Sequence, residues 1–329
     1  MKTSRKLLIA YSFLVLCFLV SLTLGRYDLN LADILSILAG RQSGTMNANI
    51  FYNVRLVRSV EVVLCGMALA VSGYLYQSCF HNPLVSPDTL GVSGGASIGA
   101  IIAILYLHDT FLFRQAFSFL GGIIAVVFSL FLSRLIGTGK RTSLLLAGII
   151  SGALANSAVM AFKYLADPTT QLAVIDYWLM GSFSLINRRR LLSTAVIVLP
   201  ALFLTFLYRF RLKVLLLDEE EAQTLGISIK RLNRLCIALS TLLTAASVSV
   251  SGIVSWIGLL TPHIVSLLFR SSFEETLLLS MPVGAAILLL SDTLARTLTS
   301  AELPVSIITS SIGAIVLFVF LLTKRKGYL

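Results

Sequence analysis

The sequence predicts an all-α membrane protein of about ten transmembrane helices, a single polytopic domain over 1–329 built from two inverted-topology repeats. Three observations predict it. Hydrophobic residues make up 57% of the chain and charged residues 12%, at a mean hydropathy of +0.92, whereas a soluble domain carries about 25% charged residues. Apolar runs near the ~20 residues that cross bilayer hydrocarbon recur from end to end. A short pattern also occurs twice: "VSG" at 71–73 with Pro83 ten residues on, and "VSG" at 250–252 with Pro262 ten residues on. In lipid every backbone N–H and C=O must be paired internally, which helices do locally. Long continuous runs exclude a membrane barrel, whose strands alternate over segments of about ten residues.

The candidate spans lie near 7–24, 59–80, 89–107, 115–136, 142–162, 191–208, 233–252, 254–270, 276–295 and 305–322. The first follows Lys2, Arg5 and Lys6. It is long for a signal-peptide core and no A-x-A site follows, so it reads as a retained helix. The third carries Gly91, Gly95 and Gly99 four apart. The fifth carries Ala147, Gly148, Ser151, Gly152, Ala155 and Asn156 as a stripe. The tenth carries Ser306, Thr309, Ser310 and Gly313. Small faces let helices approach closely in lipid. Asn156 is the best candidate to line a polar cavity, because an unpaired amide in lipid is costly. The eighth span holds Pro262 in its middle.

The repeat halves cover about 59–162 and 233–322. Each "VSG" leads into a Pro- and Gly-interrupted run, "NPLVSPDTLGVSGG" and "WIGLLTPHIV", and the two runs enter the membrane from opposite sides. Matched breaks in inverted halves point to a transport pathway.

Most of the 26 Lys and Arg fall on segments that share the side of the N-terminus, which puts both termini in the cytoplasm. Arg188, Arg189 and Arg190 run against this bias on the outer side. The net charge of +11 is therefore topology, not nucleic-acid binding. The four cysteines, Cys17, Cys65, Cys79 and Cys236, sit in apolar segments without a C-x-x-C and read as small core residues.

Chemistry motifs are weak. "GVSGG" at 91–95 fits G-x-S-x-G, but that elbow needs a soluble sheet. Ser93 with His263 would make an intramembrane serine protease, an alternative that stands beside ion-coupled secondary transport. "GTGKRT" at 137–142 lacks the first glycine and the final hydroxyl of a phosphate loop. His81, His108 and His263 are far apart, and no metal site is expected. Glu61, Asp292 and Glu302 fall near span ends, where structural roles are expected ahead of a proton relay.

Four of the 15 acidic residues stand together at Asp218, Glu219, Glu220 and Glu221, between basic residues on both sides. Asp218 suits an N-cap with Glu221 three residues on. Gly226 suits a helix stop. Ala222 and Leu225 give the short helix a small apolar face. Such a helix, in a cytoplasmic segment over about 209–234, suits insertion into a groove of a cytosolic partner.

The chain resembles the FecCD-type permeases, membrane subunits of ABC importers for iron–siderophores, haem and vitamin B12. The resemblance runs from about residue 50 to 323. It rests on "RLVRS" at 55–59, Gly73, Gln77, "NPL" at 82–84, Pro87, "YWLMGSF" at 177–183, Ala222, "LG" at 225–226, "GLLTPH" at 258–263, "GAAILLLSDTLAR" at 284–296 and "ELPVS" at 302–306. It implies a fold like that of the vitamin B12 importer permease, in a prokaryotic inner membrane. It implies a homodimer, or a pairing with a homologous permease. A cytoplasmic ABC ATPase dimer would carry the ATP and Mg²⁺, with no cofactor on this chain and no enzymatic activity of its own. Asp218–Gly226 would couple to the ATPase. Arg55, Arg58 and Arg296 would dock an extracytoplasmic binding protein. Asn82, Pro83, Ser151, Asn156, Pro262, His263, Ser306 and Ser310 would line the pathway. The cargo would be a metal chelate, with an oxyanion such as molybdate as the alternative. Departures from the family pattern fall at His81, Glu219, Ile253, Ser255, Trp256, Ser266 and Ser306.

Overall fold

A computed structural model describes residues 3–27, 29–41, 44–107, 110–137, 140–217, 219–224 and 226–325. Among them the chain is helical: α1 (Thr3–Thr23), α2 (Leu31–Leu38), α3 (Met46–Asn49), a π-helical turn at Ile50–Arg55 that runs into α4 (Leu56–Phe80), α5 (Val92–Tyr106), α6 (Phe111–Ile136), α7 (Lys140–Leu165), α8 (Gln171–Leu179), α9 (Arg188–Leu212), a 3-10 turn at Lys213–Leu216, α10 (Glu219–Thr224), α11 (Ile229–Ser251), α12 (Ile257–Phe269), α13 (Phe273–Thr297) and α14 (Val305–Arg325). Every expected span is occupied by a helix. α1, α6, α7, α9, α11 and α13 are each long and apolar enough to cross a membrane, and α5, α12 and α14 are shorter apolar helices. α4 carries Arg58 and Glu61 in its first two turns.

The reason α4 tolerates those charges is its position. It packs against α9, α11, α12 and α13, and Val62, Cys65, Ala68, Ala70, Val71 and Leu75 are all buried. A helix covered on every side is a core helix. Hydroxyls join it to α11: Ser72 Oγ meets Thr244 Oγ1 at 2.6 Å, and Tyr76 OH meets Thr241 Oγ1 at 3.1 Å. The residue numbers rise on one helix as they fall on the other, so the two run antiparallel. By contrast Leu16 on α1, Leu112 and Ile124 on α6, Ile149 on α7 and Val196 on α9 are exposed. A belt of large apolar side chains this wide is a surface for lipid. All four cysteines are buried and free.

The two halves pack alike. α4 meets α12 and α13 as α11 meets α5 and α6; α5 lies on α6 and α7 as α12 lies on α13 and α14. The glycine spacing on α5 is used as expected at Gly95, where an added Cβ would lie 2.3 Å from the Gly121 carbonyl oxygen of α6. Gly91 does not join that face. It holds φ 77° as the residue before α5 and breaks the helix there. The eighth span is also shorter than the sequence suggests. Gly252 and Trp256 both adopt positive φ, so the helix starts only at Ile257.

Candidate functional site

The site is built from the two helix breaks. After α4, His81 turns left-handed (φ 52°) and the chain passes through hydrogen-bonded turns to Gly91. After α11, residues 252–256 form a second non-helical break before α12. The residues that precede α5 and α12, Gly91 and Trp256, share the left-handed conformation at φ 77° and 73°. Trp256 is not a glycine, and its indole is set against α14, where an added Cβ on Gly313 would lie 2.7 Å from the ring.

The two breaks are tied to each other. His263 Nε2 lies 2.9 Å from the Pro83 carbonyl oxygen, and its ring packs 4.7 Å from that of Phe320. Pro262 has no N–H to give the Gly258 carbonyl, which is therefore released from the helix ladder. That oxygen lies 1.9 Å from where a Cβ on Gly73 would be. Gln77 Nε2 donates to the next carbonyl, Leu259, at 3.1 Å. α4 and α12 thus meet backbone to backbone. Ser306 Oγ donates to the Ile253 carbonyl at 2.7 Å, holding α14 to the second break.

Two cavities of about 260 and 220 Å³ open at this junction and share Asp88, Ser93 and Ile253. Thr244 and Ser255 line the first; Ser97 and Asn156 line the second. Asp88 accepts from the Ser93 N–H at 2.8 Å, and its side chain stays open to the cavities. Ser151 stands beside Gly91, 3.1 Å from an added Cβ there. Asn82 turns its Oδ1 back to the Leu84 N–H at 3.0 Å. Pro262 is buried within α12 and Ser310 half-buried on α14. Asp88 escaped the sequence reading, although it is the one acid inside either break.

At the end of the bundle where α4 begins, the arginines do not form an open rim. Arg58 donates to both oxygens of Asp292 (Nη2–Oδ1 2.8 Å, Nε–Oδ2 3.1 Å) and to both of Glu302 (Nη1 3.0 and 3.1 Å). Arg55 donates through Nη1 to the Leu22 and Thr23 carbonyls at 2.6 and 2.7 Å, and through Nη2 to the Tyr27 carbonyl. Arg296 donates to the Ser21 carbonyl and, at 2.9 Å, to its hydroxyl. All three are more than nine-tenths buried. The expectation of three free forks for an outside partner is corrected here. Arg55, the last residue of the π-turn, lies under the end of α1, and Arg58, in the first turn of α4, points at Asp292 of α13 and at Glu302 rather than at water.

A family model described as the FecCD transport family matches residues 13–324. The chain belongs to the FecCD transport family. This permease is 34% identical over 319 residues to a molybdate import system permease of Haemophilus influenzae, covering 95% of this chain and 94% of the relative. It is 36% identical over 284 residues to a hemin transport system permease of Yersinia pestis, covering 84% of each. A solved structure described as an inward-facing metal-chelate type ABC transporter shares the fold at a TM-score of 0.88 and 32% identity, covering 97% of this chain and 99% of that one. The chain is thus a multi-pass ABC permease.

The acidic segment of this permease is only partly as expected. A short helix is present at Glu219–Thr224, and Gly226 beyond it has φ 69°. Glu221 is exposed. Ala222, however, is fully buried with Leu212, Leu215 and Ile229. Its methyl seats α10 on the permease's own core, against α11, and is buried rather than exposed. Asp218 and Leu225, and the side chains of Glu219 and Glu220, lie outside the described residues. Beside the segment a cavity of about 590 Å³ is lined by Tyr208, Arg211, Gly226 and Arg231.

Proposed function

We propose that this permease is the membrane-spanning subunit of a binding-protein-dependent ABC importer that brings a metal chelate (siderophore, haem or corrinoid) into the cytoplasm. The carrying observation is the pair of matched helix breaks, joined by His263 and Pro83 around cavities lined by hydroxyls, Asn156 and Asp88. Broken helices meeting at a polar cavity are what a pathway through lipid requires. Small and hydroxyl-bearing walls suit a bulky cargo already chelated. The similarity to a molybdate permease keeps a small oxyanion as the second reading.

On this reading the chain sits in a prokaryotic inner membrane with both termini in the cytoplasm. It pairs with a second copy or a homologous permease. An ATPase dimer, holding ATP and Mg²⁺, docks at Glu221, Gly226 and the basic groove of Arg211 and Arg231. A soluble binding protein reaches the opposite face, where Arg188 and Arg189 are exposed while the Arg58 cluster lies beneath. His263 gives its Nε2 to Pro83, which disfavours its service as a base for Ser93. The test is uptake by proteoliposomes holding the permease, its ATPase and its binding protein. ATP-dependent uptake of a metal chelate is the expected result. Uptake that needs no ATP and follows a proton gradient would overturn the reading.

A further inference from the structure

The two helix-break cavities carry charge of one sign. Their walls come from both breaks and from α4, α5, α7, α8, α11 and α12. Among the described residues Asp88 is the one acid or base in either lining, and it lines both. The other polar groups, such as Ser97, Thr244, Ser255 and Asn156, are neutral. Ser93 bonds the Asp88 carboxylate through its N–H at 2.8 Å and through its hydroxyl. A carboxylate has about four acceptor positions, and this side chain is exposed, so acceptor capacity remains toward the cavities.

Helix starts at such a junction would ordinarily attract anions. The first N–H groups of a helix lack partners within it and stand at the positive end of its dipole. An oxyanion is readily held there. In this permease the chain's own groups take that place. At the start of α5 the carboxylate of Asp88 accepts from Ser93. At the start of α12 the Ser255 N–H goes to Ser306 Oγ at 3.4 Å, and the Ile257 N–H to the Ser255 carbonyl at 3.0 Å. An arriving oxyanion meets a carboxylate where it needs a donor, and like charges at short range in a partly dry cavity repel strongly. An ammonium or hydroxyl group on a passing cargo meets an acceptor instead.

We propose that Asp88 is a specificity-determining residue of the pathway, admitting metal chelates that are neutral or carry a cationic group and turning away oxyanions and chelates with an exposed carboxylate. This role presumes that the cavities are the pathway, as proposed above. It selects the chelate over the oxyanion as cargo.

The test uses the complete transporter in proteoliposomes: permease, ATPase and binding protein. The probes are one ferric trihydroxamate scaffold ending either in an ammonium or in a carboxylate group, and molybdate. The readout is the uptake rate of the ammonium form divided by that of the carboxylate form. Comparing this ratio between wild type and variants cancels the preference of the binding protein, which is the same in every sample. Asp88→Asn keeps an oxygen for the Ser93 N–H and removes only the charge. It should lower the ratio about tenfold, the loss of one charge-assisted contact. Asp88→Lys should lower it further, and Asp88→Glu should restore it. A structural role alone would slow both forms alike. An unchanged ratio in Asp88→Asn, with both forms still taken up, therefore overturns the role of Asp88 and leaves the importer reading standing. ATP-driven uptake of molybdate by the wild type as fast as the chelate, and no faster in Asp88→Asn, overturns it as well. Uptake of the scaffold without ATP overturns the importer reading alone, and the ratio still judges Asp88.

Discussion

At one end of the bundle Arg58 lies between Asp292 and Glu302, both supplied by its own chain. At the other end Glu221 stands exposed on a six-residue helix, beside a groove that carries Arg211 and Arg231. In the sequence the two clusters look alike, as ionisable residues near the ends of apolar runs. Their surroundings separate them. A buried guanidinium must find carboxylates within the same molecule, because an unpaired charge in a low dielectric costs several kcal/mol. An exposed carboxylate keeps its hydration and is worth little until a partner arrives, when it guides the encounter. The first cluster braces α4, α13 and the segment that leads into α14. The second is a surface.

The comparison breaks most directly at Arg58. Arg58→Ala leaves buried Asp292 without its close partner, with only the longer Arg296 contact (Nε–Oδ2 3.7 Å) remaining, so it should lower the stability of the isolated permease by about 3–5 kcal/mol, read by thermal unfolding in detergent. A loss no larger than that of an exposed arginine would put the cluster back at the surface. A smaller effect tests the close contact that fixes both breaks. Gly73→Ala should cost about 1–3 kcal/mol or more by overpacking, since the new methyl meets backbone and not a movable side chain. Ala222→Trp sharpens the other end. A large side chain there should destabilise the permease alone by about 1–3 kcal/mol. If Ala222 instead faced a partner, the isolated subunit would unfold unchanged and only ATPase assembly would fail. The smallest effect belongs to Glu221→Lys, within about 0.5 kcal/mol of wild type in unfolding. Its consequence should appear as a salt-sensitive loss of ATPase co-purification.

The long helices were legible because an apolar run near 20 residues has few alternatives. The matched breaks were legible in outline: Pro83 falls inside the first and Gly252 opens the second, whereas the first "VSG" lies within α4 and Pro262 within α12. Three things were not. Arg55 and Arg58 were expected to face water, because no residue pattern in their own segment announces that Asp292, Glu302 and the end of α1 lie opposite them. Asp88 was passed over because its use depends on Ser93 and the second break, which lies far away in the chain. Ala222 looked like a contact residue because a small side chain on a short helix suits a groove and a core equally well. In each case the missing information was which surface lies opposite, and that is settled by tertiary packing.

The most direct measurement is the unfolding midpoint of the isolated full-length permease carrying Arg58→Ala or Glu221→Lys, each at low and at high salt. The account predicts that Arg58→Ala lowers the midpoint by a similar amount at both salt levels, since a buried pair is screened little. It predicts that Glu221→Lys leaves the midpoint where it was. An unchanged midpoint for Arg58→Ala, or equal losses in the two variants that both fade with salt, would contradict the division between an internal brace and an open surface.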